Sequence, residues 1–270
     1  MGTVFDSTIP LGSRRTDPMN PLSGQLHALL GGYPEARRIA QFSGSHPLFD
    51  TIRSTAKLLK ESAPVSGRPS LTVDWSLGQG NWASVPWIAL LDRRETTTTR
   101  HGVYVVYLFR EDGSGVLLTL NQGVTEFTSG GKGRTQARAE MRTKAQQLRP
   151  RVAFLAEEGF SLDDGIDLRT TSNLGRDYEH STIAYKLYGI DAIPDDEEML
   201  AELNAVLLAY DRYLDEKGGR DVPSSDPPVP EHPHPTTVVR RDPRAILLDA
   251  LAAFGLSFTQ WEIATYFTGL

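Results

Sequence analysis

The period of the hydrophobic pattern changes twice along this chain, and that constrains its fold more than any other feature. Leu71-Thr-Val-Asp-Trp-Ser-Leu77 alternates apolar and polar residues, as a half-buried strand does. Val85 to Leu91 is an apolar run of strand length, and Gly102 to Phe109 is rich in Val and Tyr. Glu111-Asp-Gly-Ser-Gly115 is a turn, and Val116 to Leu120 returns as its hairpin partner. On either side the spacing is helical. Leu22 to Leu30 reads as one helix, and Pro34, suited to a first turn, opens the next. His46 to Glu61 puts Leu48, Ile52, Ala56 and Leu59 on one face, with Pro64 and Gly67 as stops. Arg134 to Leu148 reads as a helix ended by Pro150, and Ser181 to Ile190 as a further strand. Pro194 to Tyr213 is a helix with Met199, Leu203, Val206, Leu207 and Tyr210 on one face and acids in its first turn. A block of strands with helices before and after predicts an α+β fold, with a mixed, twisted β-sheet flanked by helices.

The ends of the chain differ in kind from this middle. Residues 1–20, with Pro10, Gly12 and Pro18, read as a disordered or extended N-terminus, and 21–217 as the folded domain. Residues 218–243 hold seven prolines and read as an extended linker that cannot build a core. Beyond it, 244–270 reads as a short C-terminal helical segment. The sequence stops at Leu270 directly after an apolar helical pattern, which predicts a continuation in the natural protein.

Charge narrows the function classes. The whole chain carries −6, but residues 1–151 hold 19 Lys/Arg against 12 Asp/Glu, and 152–217 hold 5 against 16. The first half is therefore basic, and a phosphate backbone responds to the local field rather than the total. Arg134, Arg138 and Arg142 recur at helical spacing on one face, joined by Lys132, Lys144, Arg149 and Arg151, with Glu140 the acid among them. Arg93, Arg94, Arg100 and His101 precede the Tyr104 strand. Such a set could line a DNA backbone or be an ordinary solvated surface. The chain has no cysteine, so disulfides and thiolate metal sites are excluded. No secretory signal and no apolar run of transmembrane length are visible.

Three motifs carry a resemblance. Gly78-Gln-Gly-Asn-Trp-Ala-Ser-Val-Pro-Trp-Ile-Ala89, Gly102-Val-Tyr-Val-Val-Tyr-Leu-Phe109 and Leu118-Thr-Leu-Asn-Gln-Gly123 stand in an unusually specific order. Together they resemble the N-terminal domain of McrB-type proteins, the GTP-driven restriction factors that act on methylated cytosine. The likeness runs from about Leu22 to Tyr213 and is sharpest over 71–123. It implies recognition of double-stranded DNA bearing 5-methylcytosine or a related modified cytosine, with the modified base flipped out of the stack. By the same resemblance Trp87, Tyr104 and Leu108 wall the base pocket, and backbone groups of Ala83, Ser84 and Val85 read the pyrimidine edge. By periodicity alone those three side chains read as hydrophobic core. The loop Gly78-Gln79-Gly80-Asn81 would enter the duplex, with Gln79 filling the vacated space where some relatives carry a large aromatic.

Phe258 to Leu270 resembles the entry to the AAA+ GTPase module of the same family. Gly130-Gly-Lys-Gly-Arg-Thr135 lacks phosphate-loop spacing, so GTP and Mg are expected only with a module beyond this chain. The resemblance implies no cofactor here, a McrC-like nuclease as partner of the full-length protein, a bacterial cytoplasmic setting and a monomeric fragment. A regulatory protein-interaction domain without DNA binding is the other reading. Pro194-Asp195 with Asp215-Glu216-Lys217 mimics a metal-nuclease pattern, but its triplet falls at a helix end where such sites want a strand. His232 and His234 sit in the proline-rich segment and read as spacer rather than metal ligands.

Overall fold

The computed structural model describes residues 21–129 and 131–218. The expectations for 1–20, for the proline-rich segment from 219 to 243 and for 244–270 lie outside these residues. The chain divides into two compact units, 1–42 with 46–227 and 43–45 with 228–270. Of the second unit only Ser43–Ser45 is described, its two serine hydroxyls 2.8 Å apart.

Five strands form one sheet in the order of the chain: β1 (Leu71–Gln79), β2 (Asn81–Asp92), β3 (Val103–Phe109), β4 (Gly115–Gln122) and β5 (Thr182–Gly189). Every neighbouring pair is antiparallel, so the sheet is a meander and not mixed. The reason lies in the connections: β1 to β4 are joined by turns and a short loop, which can only reverse the chain. β5 returns after the helices and pairs antiparallel with β4.

One face of this sheet carries the main core. Ile88 and Leu90 of β2, Val103, Val105 and Tyr107 of β3, and Val116, Leu118 and Leu120 of β4 point to it. Helices α1 (Pro21–Ile39), α2 (Pro47–Glu61) and α7 (Asp196–Gly218) cover it. Each presents an apolar stripe: Leu22, Leu26, Leu29 and Tyr33 on α1; Phe49, Ile52, Ala56 and Leu59 on α2; Met199, Leu203, Val206 and Tyr210 on α7. Each such side chain taken fully out of water contributes roughly 1.5–3 kcal/mol. Pro34 does not open a second helix as its position predicts; it lies inside α1. Leu30, Tyr33 and Ala36 are buried on both sides of it, and that continuous packing offsets the roughly 3 kcal/mol an internal proline costs. The carboxylate of Asp196, in α7's first turn, accepts from the backbone N–H of Leu22 and Ser23 at 3.1 and 2.9 Å. It satisfies donors that the start of α1 would otherwise leave open.

The opposite face is covered by α6 (Asn173–Ser181) and the segment 166–168, with α5 (Arg134–Leu148) packed beside α6 and β5 and the four-residue helices α3 (Ala63–Ser66) and α4 (Thr125–Thr128) completing the unit. Helix α5 has the bounds its sequence predicts; the chain then continues past Pro150 as a 3-10 run to Ala156. The nuclease-like residues are separated by the length of α7. Asp195 caps its start, accepting from Glu198 N–H at 2.9 Å, while Asp215 to Lys217 end it, about 30 Å away. Among the described residues no helix is long and apolar enough to cross a membrane, and no group of His, Asp or Glu is arranged to hold a metal.

Candidate nucleic-acid interface

The β1–β2 hairpin ends in a tip of one residue. Gln79 pairs with Asn81, and Gly80 turns between them; all three are exposed. The turn depends on glycine at 78 as well. Gly78 has φ +129°, and a Cβ there would stand 1.9 Å from the Asn81 carbonyl oxygen. Just below the tip the pairing breaks. It runs regularly to Ser76↔Trp87 and resumes at Gly78↔Trp82, so Leu77 alone faces Ala83, Ser84, Val85 and Pro86. This bulge is braced from α1. The Tyr33 hydroxyl lies 3.0 Å from the Leu77 carbonyl and 2.8 Å from that of Ala83, bridging both strands. Burial pushes the Tyr33 phenol well above its ordinary pKa, so it stays a donor. Trp82 anchors the tip on the other side, its Nε1 donating to Ala40 O at 2.9 Å and its ring edge-on to Tyr33, Phe42 and His46.

Beyond the bulge, Trp87 lies beside Leu108 across β2 and β3, half-buried against a second core cluster that includes Val85, Ala89 and Leu117. Trp87, Leu108 and Val85 therefore come together. Tyr104 shares the face but is four residues further along β3, about 13 Å from Leu108. It is 2% exposed, and its hydroxyl donates to the Thr99 carbonyl at 3.0 Å. Leu108 is equally buried, so the core reading of periodicity describes both as they stand. A roof closes over this face. Gly175 of α6 sits so near that a Cβ would meet Val85 Cγ2 at 2.9 Å and Thr170 Cγ2 at 2.5 Å. Leu168 N–H donates to Glu179 at 2.8 Å, a carboxyl that burial pushes up. Tyr178 packs on the same cluster, its phenol raised to about 12 by burial and by Asp177.

The model of the MrcB-like, N-terminal domain family matches residues 28–215. The chain belongs to that family. No curated protein matches it.

In this MrcB-like domain the basic residues are largely ion-paired. Arg134 and Arg138 both bind the buried carboxylate of Asp177 on α6, at 2.6 and 2.7 Å. Arg142 donates to His180 Nδ1 at 3.0 Å and lies 3.7 Å from Asp164. A guanidinium can only donate, so that ring nitrogen accepts; burial first, then Arg142 and Arg138, holds the His180 pKa below its ordinary value. Lys132 pairs with Glu140 and Lys144 with Glu126, at 2.7 and 2.6 Å. Arg149 meets Asp164 at 2.6 Å and Arg151 meets Glu216 at 3.5 Å. Arg94 is bound to Asp92 and Asp211, at 2.9 and 2.7 Å. The α5 stripe thus fastens α5 to α6. Arg93 and Arg100 are exposed and make no ion pair among the described residues. They lie with half-buried His101 at the far end of β2, on the order of 25 Å from the hairpin tip along the length of β1.

Sequence reasoning passed over α6 and the 166–170 segment, because α6 buries Gly175, Asp177 and Ser181 and has no apolar stripe. The signal present was Ser172, an N-cap whose hydroxyl accepts from Gly175 N–H at 3.0 Å. Tyr33 and Arg37 were also missed, since nothing in their own segment ties them to a hairpin some 45 residues later.

Proposed function

We propose that this domain recognises double-stranded DNA carrying 5-methylcytosine or a related modified cytosine and rotates the modified nucleotide out of the helix. The observation that carries this reading is the continuity of one strand. The exposed tip Gln79–Asn81 leads through the bulge Ala83–Pro86 directly to the half-buried Trp87 beside Leu108. The tip enters the duplex, and Gln79 offers its amide to the base left unpaired. The flipped base stacks on Trp87, worth about 1–3 kcal/mol, which offsets the few kcal/mol of unstacking. Val85 and Leu108 contact the 5-substituent, Tyr104 forms the back of the pocket, and backbone groups of Ala83, Ser84 and Val85 read the pyrimidine edge. Because Tyr104 and Leu108 are covered before binding, α6 must give way as the base enters.

Arg93 and Arg100 are ready for phosphates. Lys132, Arg134, Arg138, Arg142, Lys144 and Arg94 would have to exchange a carboxylate for a phosphate, which weakens their part. In this reading the domain recognises and does not cleave. GTP, Mg and a McrC-like nuclease belong to the full-length system in the bacterial cytoplasm.

The test is a gel-shift panel with methyl-, hydroxymethyl-, glucosylated and unmodified cytosine duplexes. Preference for a modified duplex should fall about tenfold in Trp87→Ala, the loss of one stacking contact. An unchanged preference removes Trp87 from the pocket. Added salt should weaken binding to all duplexes alike. The internal pairing of Arg134 and Arg138 favours a second reading, a protein-interaction domain that has kept the fold without DNA binding. No shift with any duplex at low salt would establish it.

A further inference from the structure

Arg37, Ser84, Glu111 and Thr170 are far apart in sequence and belong to four different segments, yet they form one chain of polar contacts. Arg37, in the last turn of α1, donates from Nη2 to Ser84 Oγ at 3.0 Å. Its Nη1 lies 2.7 Å from Glu111 Oε1, in the turn between β3 and β4. The other oxygen of Glu111 accepts from the Thr170 hydroxyl. Thr170 Oγ1 lies 3.0 Å from Ser172 Oγ, which accepts from Gly175 N–H at 3.0 Å. The carboxylate can only accept, so Thr170 donates to Glu111 and Ser172 donates to Thr170. Glu111 N–H also donates to the Leu168 carbonyl at 3.1 Å. A second route closes the same circuit: Val85, next to Ser84, touches α6 directly at Gly175.

We infer that Arg37 is a positioning residue for base readout, coupling the Ala83–Pro86 bulge through Glu111 to the first turn of α6, the roof over the Trp87–Leu108 face. This rests on the proposed recognition of a flipped base. Arg37 is one-third exposed, so as a stability device the pair is worth little. Its value is geometric. A guanidinium presents two nitrogens in one plane, so Ser84 and Glu111 are fixed relative to one another, and through Thr170 and Ser172 so is the α6 N-cap. When α6 moves to admit a base, the bulge that reads the base edge moves with it.

The experiment uses the full chain and two readouts. In Arg37→Gln, amide hydrogen exchange over 83–87 and 172–176 should quicken about tenfold, as for loss of one charge-assisted hydrogen bond, while 105–107 and 203–207 keep their rates. Arg37→Lys keeps the charge but not the fork, and should resemble Arg37→Gln. In gel shifts, both variants should lose about five- to tenfold in preference for modified over plain duplex, with affinity for plain duplex within about twofold of the parent. Unchanged exchange at 172–176, or equal loss on both duplexes, overturns the inference. If Arg37→Gln exchanges fast everywhere, Glu111→Gln removes only the carboxylate that joins Arg37 to Thr170 and is held to the same outcomes. A parent protein that shows no preference defeats the base-flipping reading, and the exchange readout still decides the coupling.

Discussion

The two faces of the sheet are held by different physics. Against one, α1, α2 and α7 lay apolar stripes on Ile88, Leu90, Val105 and Leu118, with the buried Glu202 of α7, bonded to Tyr188 and Lys186, as a polar exception. On the other side, α6 and its neighbour α5 add charge and hydrogen bonds to smaller apolar clusters. Asp177 takes two guanidiniums, Ser181 donates to Asn121 at 2.6 Å, and Gln122 donates to the Met141 carbonyl at 2.8 Å. Close-packed apolar layers give way only at the cost of a cavity. A cover fastened by a few polar contacts can exchange them for water one at a time. The first face therefore sets stability, and the second is the one that the proposed entry of a base would have to open.

The largest effect should come from the apolar face. Leu118→Ala leaves a cavity beneath α7 and should cost about 3 kcal/mol, read as a lowered urea midpoint with the slope unchanged. On the other face Asp177→Asn unpairs two arginines. Arg134 is nearly half exposed and rehydrates easily, so the cost should be about 2 kcal/mol, with exchange quickened in α5 and α6 ahead of the sheet. Uniform quickening across both faces would erase the distinction. Gly78→Ala should cost about 1 kcal/mol globally, because the tip can rearrange, yet the tip geometry is lost and duplex binding with it. Binding that survives this change removes the tip from the interface.

Acid should separate the faces in order. The depressed pKa of His180 means the fold prefers its neutral ring. That stabilisation is complete above the ordinary histidine value of about 6.5 and is lost as pH falls through the lower folded value. Arg142 and Arg138 oppose its charging, while Asp177 and Asp164 favour it. Asp92 is also depressed: burial pushes it up, but hydrogen bonds from Arg94 and Ser70 outweigh that. Its contribution, which holds the end of β2 to α7 through Arg94, is complete above about pH 4 and lost only below it. Exchange followed from pH 7 to 3 should show α5 and α6 loosening first. Simultaneous loosening would contradict the assignment of His180 to the weaker cover.

Much of this was legible in the sequence where burial imposes a period. β1, β3 and β4 follow from alternation and turn residues, α2 and α5 from spacing, and the hairpin tip from two glycines around Gln79. What the period cannot report is the partner. Arg134, Arg138 and Arg142 look like a rail for phosphates until Asp177 and His180 are placed beside them by a helix without an apolar stripe. Tyr104 and Leu108 show the converse: their spacing correctly gives a shared face, but how deeply that face is covered depends on α6 and on 166–168.

The sequence by itself determined the α+β class, most element boundaries, the exposed glycine hairpin and the family, because these depend on local conformation and on which residues avoid water. Only the tertiary structure decided that the sheet is antiparallel throughout, that the basic stripe is internally paired, and that Arg37 joins the bulge to α6 through Glu111. The decisive ones are pairings between groups tens of residues apart, selected by where the folded chain brings opposite charges and unsatisfied donors within reach.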